Sequence, residues 1–159
     1  MGCIFCKMVN KELQHHIVAE DEHFLAFLSL FPNTLGTTVV IPKKHYSSYA
    51  FDLEDQVLHE LVQFTRTVAK KLDHFFDDVG RTAMVFEGFG VDHVHAKLFP
   101  MHGTAHTNQQ WQAINSPIDH YFEQYPGYIS THDAAQANHE NLAYLAAQIR
   151  ALKSNDSGI

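Results

Sequence analysis

The chain has 159 residues, 45% of them hydrophobic and 18% charged, with 12 Phe; this suits one folded domain with a real core and excludes a disordered or low-complexity chain. A formal net charge of −7 excludes a general nucleic-acid surface, which needs excess Lys and Arg to displace counterions, so any polyanionic ligand must find positive charge locally. No apolar run approaches a membrane span and the start lacks the basic and apolar regions of a signal peptide, so we expect a cytoplasmic protein with neither a membrane nor a nucleic-acid partner; "MGCIFC" matches a myristoylation signal weakly, because Cys6 stands where Ser or Thr is wanted.

In chain order, Ile17 to Ala19 and Phe24 to Leu30 are two β-rich runs separated by Glu20, Asp21 and Glu22, the pattern of a hairpin. Pro32, Asn33 and Gly36 mark a loop. Thr37 to Ile41 then reads as a third strand, ended by Pro42, which delivers His45 just past its end. Asp52 is the expected N-cap of a long helix reaching Phe76, with Leu58, Leu61, Thr65, Val68, Leu72 and Phe75 on one apolar stripe. "RTAMVFEG" gives a fourth strand, and "VDHVHAKLFPMH", residues 91 to 102, a fifth. Sequential strands joined by short turns favour an antiparallel sheet, and with the helix they define an α+β fold. After Gly103 the chain turns polar and aromatic through Trp111, Tyr121, Phe122, Tyr125 and Tyr128. A last helix, roughly 134 to 152, aligns Leu142, Leu145, Ile149 and Leu152 for packing on the sheet or on a partner chain.

Two patterns carry chemistry. In the fifth strand, alternation puts Val94, Ala96 and Leu98 on one face and His93, His95 and Lys97 on the other. Paired imidazoles can share a phosphate, a metal or a proton transfer, whereas His15, His16, His23, His59, His74, His120, His132 and His139 read as ordinary surface or satisfied core residues. Cys3 and Cys6 form a lone C-x-x-C, and three readings stay open. A redox pair would want a strand ahead of it, a zinc half-site needs two further ligands, and two inert cysteines need nothing.

Taken together, "CIFCKMVN", "AFLSLFP" followed by "LGTTVVIPKKH", and "VDHVHAKLFP" resemble the histidine triad (HIT) family of nucleotide hydrolases and transferases over roughly residues 3 to 101. The family signature becomes His93, Val94, His95, Ala96, Lys97, Leu98, Phe99, with lysine in place of the third histidine. The resemblance implies a five-stranded antiparallel sheet with a long helix, paired into a homodimer. Residues 1–103 would form the catalytic core and 104–159 a C-terminal extension, with its terminal helix, packed on the same single domain. It further implies that His95 is the nucleophile toward the α-phosphorus of a nucleotide, through a nucleotidyl-histidine intermediate. His93 and Lys97 complete the expected catalytic group, with Lys97 a phosphate clamp. Cys3, Cys6, His45 and His93 would bind one structural Zn²⁺ per chain in a closed Cys₂His₂ site.

The base and ribose would lie against Ile4, Phe5, Met8, Phe27, Leu28 and Ser29, and the phosphates near the backbone of Gly90 and Val91. Ser29 stands where the family usually has an acidic residue for the ribose, and Gly90 where it has Ser or Thr for phosphate. The expected activity is hydrolysis of a nucleoside phosphoramidate, a dinucleoside polyphosphate or a related nucleotidyl conjugate. The alternatives are a nucleotidyltransferase or phosphorylase of the same family, a weakly catalytic nucleotide-binding module, and a zinc-stabilised interaction module working through its aromatic C-terminal third.

Overall fold

The computed structural model describes residues 2–115, 121, 123–125 and 135–152. A short helix, α1 (Ile4–Val9), precedes the strands β1 (Ile17–Glu20), β2 (Phe24–Leu28) and β3 (Thr38–Pro42). A 3₁₀ turn over Ala50–Asp52 leads into α2 (Asp55–Phe75), followed by β4 (Thr82–Val85), β5 (Ala96–Pro100) and, later, α3 (His139–Ala151). The strands form one sheet in the order β1-β2-β3-β5-β4, every neighbouring pair antiparallel.

Register separates the two faces. Ala26, Val40 and Ala96 lie across from one another, as do Leu28, Thr38 and Leu98, and this face carries the main core with Leu61, Val68 and Leu72 of α2 and Leu142, Ala146 and Ile149 of α3. Phe27, Val39, Lys97 and Val85 line up on the opposite face. There Phe5 and Met8 of α1 cover Leu25, Phe27, Val39 and Ile41. β2 and β3 are therefore buried on both sides along their whole length, which is why they read as continuous apolar runs and not as alternation.

Several expected boundaries move, the second strand ending at Leu28 and the fourth at Val85 among them. Asp52 does not cap the long helix; it ends the 3₁₀ turn, and Glu54 is the N-cap, without a side-chain cap hydrogen bond. The fifth strand begins at Ala96, so His93 and His95 lie in the segment entering it. The last helix begins at His139, where the Asn138 carboxamide oxygen accepts from the amides of Glu140 and Asn141 at 2.8 and 3.1 Å; such a cap satisfies amides that have no intrahelical partner. The expected start at 134 lies outside the described residues, as do His120, Phe122, Tyr128 and His132. Ala146 takes the buried place expected of Leu152, which is the C-cap.

α3 docks on β1. The carbonyl of Leu30 accepts from the amide of Ala137 at 2.8 Å, Arg150 donates to the carbonyl of Ile17, and the rings of buried His16 and His139 share a hydrogen bond, Nε2 to Nδ1, at 2.9 Å. Burial, with His139, His15 and Arg150 adding to it, holds the His16 imidazole below its ordinary range. A histidine depressed in the folded state contributes stability that is complete above its unfolded pKa, about 6.5, and is lost as pH falls through the folded value. The melting-temperature advantage of the native protein over His16→Gln is therefore expected to shrink between about pH 7.5 and 5. Calorimetry across that range checks it, and a constant difference would contradict it.

Candidate active site and metal centre

Four predicted ligands from three parts of the chain meet. Cys3 caps α1 and Cys6 lies one turn into it; His45 follows β3, and His93 precedes β5. Their ligand atoms all lie within 4.8 Å of one another. His93 Nδ1 is 3.4 Å from Cys3 Sγ and 3.7 Å from Cys6 Sγ, and His45 Nδ1 is 3.5 Å from Cys6 Sγ. Tetrahedral zinc with ordinary Zn–S and Zn–N bonds would place sulfur and nitrogen about 3.6 Å apart. The donor set and its spacing thus fit Zn²⁺, and the cluster can hold a metal ion. His93 Nε2–H donates to the Pro42 carbonyl at 2.8 Å, so the lone pair sits on Nδ1 and points at the sulfurs. Burial and the neighbouring Cys3 push the Cys6 thiol up. A bound dication would reverse that preference.

The second imidazole is held differently. His95 Nδ1–H donates to the carbonyl of His93 at 2.7 Å, which leaves the lone pair on Nε2. The ring is 3% exposed, and burial is the main cause that lowers its pKa, with Lys97 adding to it. His95 therefore remains a neutral base, with one tautomer, across the neutral range. Phe5 joins the two centres, its ring edge-on to His93 at 5.8 Å, to His95 at 5.4 Å and to Phe27 at 5.7 Å. The sequence separated a face for burial from a face for chemistry; in the structure His93, Val94, His95 and Ala96 are all buried, and Phe5 of α1 packs against both histidines.

Of the expected nucleotide contacts, Phe5, Met8 and Phe27 come together on the α1 face, and Val91 packs beside them. Ile4 is exposed at 45%. Leu28 is not brought to this site: strand alternation turns it into the core beneath α2. Ser29 Oγ accepts from the amide of Phe31 at 3.1 Å and so shapes its own turn. Gly90 adopts φ +88° with open space where a Cβ would stand, a backbone that side chains other than glycine rarely adopt. Asp92 closes the same loop by accepting from the Ser48 amide at 2.9 Å.

Lys97 lies on the His95 side of the sheet, opposite Val39 and Val85. Its ammonium is 3.5 Å from Glu87 Oε1, with the two side chains only 18% and 11% exposed. The Tyr125 hydroxyl donates to the other Glu87 oxygen at 2.7 Å. Sequence reasoning missed Glu87 and Tyr125. The sequence carries the fourth strand on through Glu87 to Gly88, whereas β4 ends at Val85 and Glu87 lies in the segment that leaves it.

An antiparallel sheet that carries a Cys₂His₂ cluster and a buried single-tautomer histidine at the entrance to one strand defines a small α+β protein with a histidine-centred site. The HIT domain model matches residues 10–104, and the chain belongs to that family. An uncharacterized HIT-like protein of Methanocaldococcus jannaschii is 39% identical over 104 residues, 62% of this chain and 78% of that one. Adenosine 5'-monophosphoramidase hnt1 of Schizosaccharomyces pombe is 33% identical over 104 residues, 63% of this chain and 74% of that one. The crystal structure of a hypothetical histidine triad nucleotide-binding protein from Sulfolobus tokodaii superposes with a TM-score of 0.68 at 25% identity, covering 93% of this chain and 89% of that one.

Proposed function

We propose that this protein is a HIT-type hydrolase that cleaves a nucleotidyl conjugate, a nucleoside phosphoramidate foremost, at the α-phosphorus. The observation that carries the reading is the hydrogen bond from His95 Nδ1–H to the His93 carbonyl, which together with burial presents a neutral Nε2 lone pair. Nε2 attacks phosphorus, the bond to the leaving group breaks, and that group departs with its electron pair and takes a proton from solvent, which the attacking water returns in the second step. Water then attacks the nucleotidyl-imidazole, yielding the mononucleotide and returning the lone pair to Nε2. Lys97 draws negative charge from the phosphate oxygens. Phe5, Met8 and Phe27 form the apolar wall for the base, with Ile4 at its mouth, and the backbone of Gly90 and Val91 approaches the phosphates. The name of the fission-yeast relative supports the phosphoramidate. Phosphate in place of water as acceptor would make the same intermediate serve a nucleotidyltransferase. A homodimer in the cytoplasm belongs to the same proposal. The direct test is mass spectrometry of the protein mixed with an adenosine phosphoramidate and denatured rapidly at alkaline pH, where the P–N bond of a nucleotidyl-histidine survives. One adenylyl group on His95 is expected, and turnover with no modified histidine at any time point would refute the covalent route.

Cys3, Cys6, His45 and His93 would hold Zn²⁺ in this reading. The metal would supply cross-linking and not water activation, since four protein ligands leave no open position. The untreated protein is expected to contain about one zinc per chain, and Cys3→Ser to lose it together with several kcal/mol of stability, because metal binding and folding are linked. Elemental analysis and denaturant melts check this; zinc-free protein straight from purification would remove the assignment.

A further inference from the structure

We propose that Glu87 is a specificity-determining residue: its carboxylate, facing the Lys97 ammonium and held by the Tyr125 hydroxyl, favours conjugates with a neutral or cationic leaving group and rejects those that leave as phosphate anions. The inference rests on His95 being the nucleophile. Val85 of β4 sits directly across from Lys97 of β5, Glu87 lies in the segment that leaves β4 two residues further on, and its carboxylate meets the Lys97 ammonium at 3.5 Å. The two charges act on the His95 imidazole in opposite directions, Lys97 lowering its pKa and Glu87 raising it. The pair is mostly covered, and charges there are weakly screened by salt. Tyr125, stacked on Phe89 with ring centres 6.0 Å apart, fixes the second carboxylate oxygen at 2.7 Å.

This arrangement has a consequence for charge. The single negative charge of an α-phosphoryl group can be met by Lys97, but Lys97 is already partly offset by Glu87. Each further phosphate on the leaving side therefore meets repulsion from Glu87, whereas an amine offers N–H donors that the carboxylate accepts. Like charges about 6 Å apart at an effective dielectric near 20 differ from a neutral pair by on the order of tenfold to a hundredfold in affinity or rate.

The experiment uses the full-length protein and two substrates with the same adenylyl group, adenosine 5′-phosphoramidate and diadenosine tetraphosphate. In Glu87→Gln the ratio of kcat/KM, polyphosphate over phosphoramidate, is expected to rise about tenfold or more. Glu87→Asp, which keeps the charge, is expected to stay near the native ratio. A ratio that is unchanged or lower in Glu87→Gln, or an equal shift in Glu87→Asp, would overturn the proposal in favour of a packing role. Calorimetric binding of ADP and AMP supplies a readout independent of turnover, with Glu87→Gln expected to tighten ADP relative to AMP. If neither substrate is turned over, the hydrolase reading fails, while the ADP-to-AMP affinity ratio still decides the role of Glu87.

Discussion

His95→Ala is expected to lose on the order of 10⁴-fold or more in turnover while still binding mononucleotide. In the proposed mechanism the variant removes the Nε2 that attacks while keeping Phe5, Met8 and Phe27, so the loss should fall on kcat and leave the affinity for AMP within a few fold. The native pH profile should carry the same signature. Burial lowers the pKa of the His95 imidazole, so the rate should fall with acidification only below the pH where a free histidine protonates, about 6.5. Stopped-flow turnover of a fluorogenic phosphoramidate, with equilibrium binding of AMP to both proteins, measures both effects. Substantial residual turnover in His95→Ala would end the mechanism, and an acid limb at or above the free-imidazole range would contradict the buried neutral base.

Much of this site was legible because its chemistry is written locally. The spacing of His93, His95 and Lys97, and the two cysteines one helical turn apart, survive any shift of strand boundary by a residue or two. The four-ligand cluster needed the family resemblance, since nothing in the local pattern ties Cys3 to a histidine 90 positions away. The sheet was legible as well, because β2 is apolar throughout and β3 is so after Thr38. What sequence could not give was α1: six residues are too few for a helical period to show, although the spacing of Phe5 and Met8 is what covers the second face. Leu28 was misplaced for a related reason, since a run that is apolar on both faces does not say which residue points where. Glu87 and Tyr125 escaped because their meeting spans 38 residues and depends on where the C-terminal segment returns.

Lys97→Ala is expected to cost roughly 10²- to 10³-fold in rate, the size seen when one donor to a developing oxyanion is lost. The lysine stands in register between Val39 and Val85, on the side of the sheet that carries His95, and a lysine ammonium keeps its charge at neutral pH where an imidazole keeps only part of it. Lys97→His should therefore recover part of the rate, with activity now falling as pH rises through the imidazole range. The ion pair with Glu87 adds a second expectation. Removing Lys97 leaves the Glu87 carboxylate beside the phosphate with its charge no longer offset by the ammonium, so part of the loss in Lys97→Ala is repulsion and not a missing clamp. Adding Glu87→Gln to Lys97→Ala should then restore some activity, a non-additivity that residues sharing one ion pair show and independent surface charges do not. Native and Lys97→Ala proteins of equal activity over a range of salt and pH would reduce Lys97 to a strand charge. A double variant slower than Lys97→Ala would instead place Glu87 among the groups that assist the reaction.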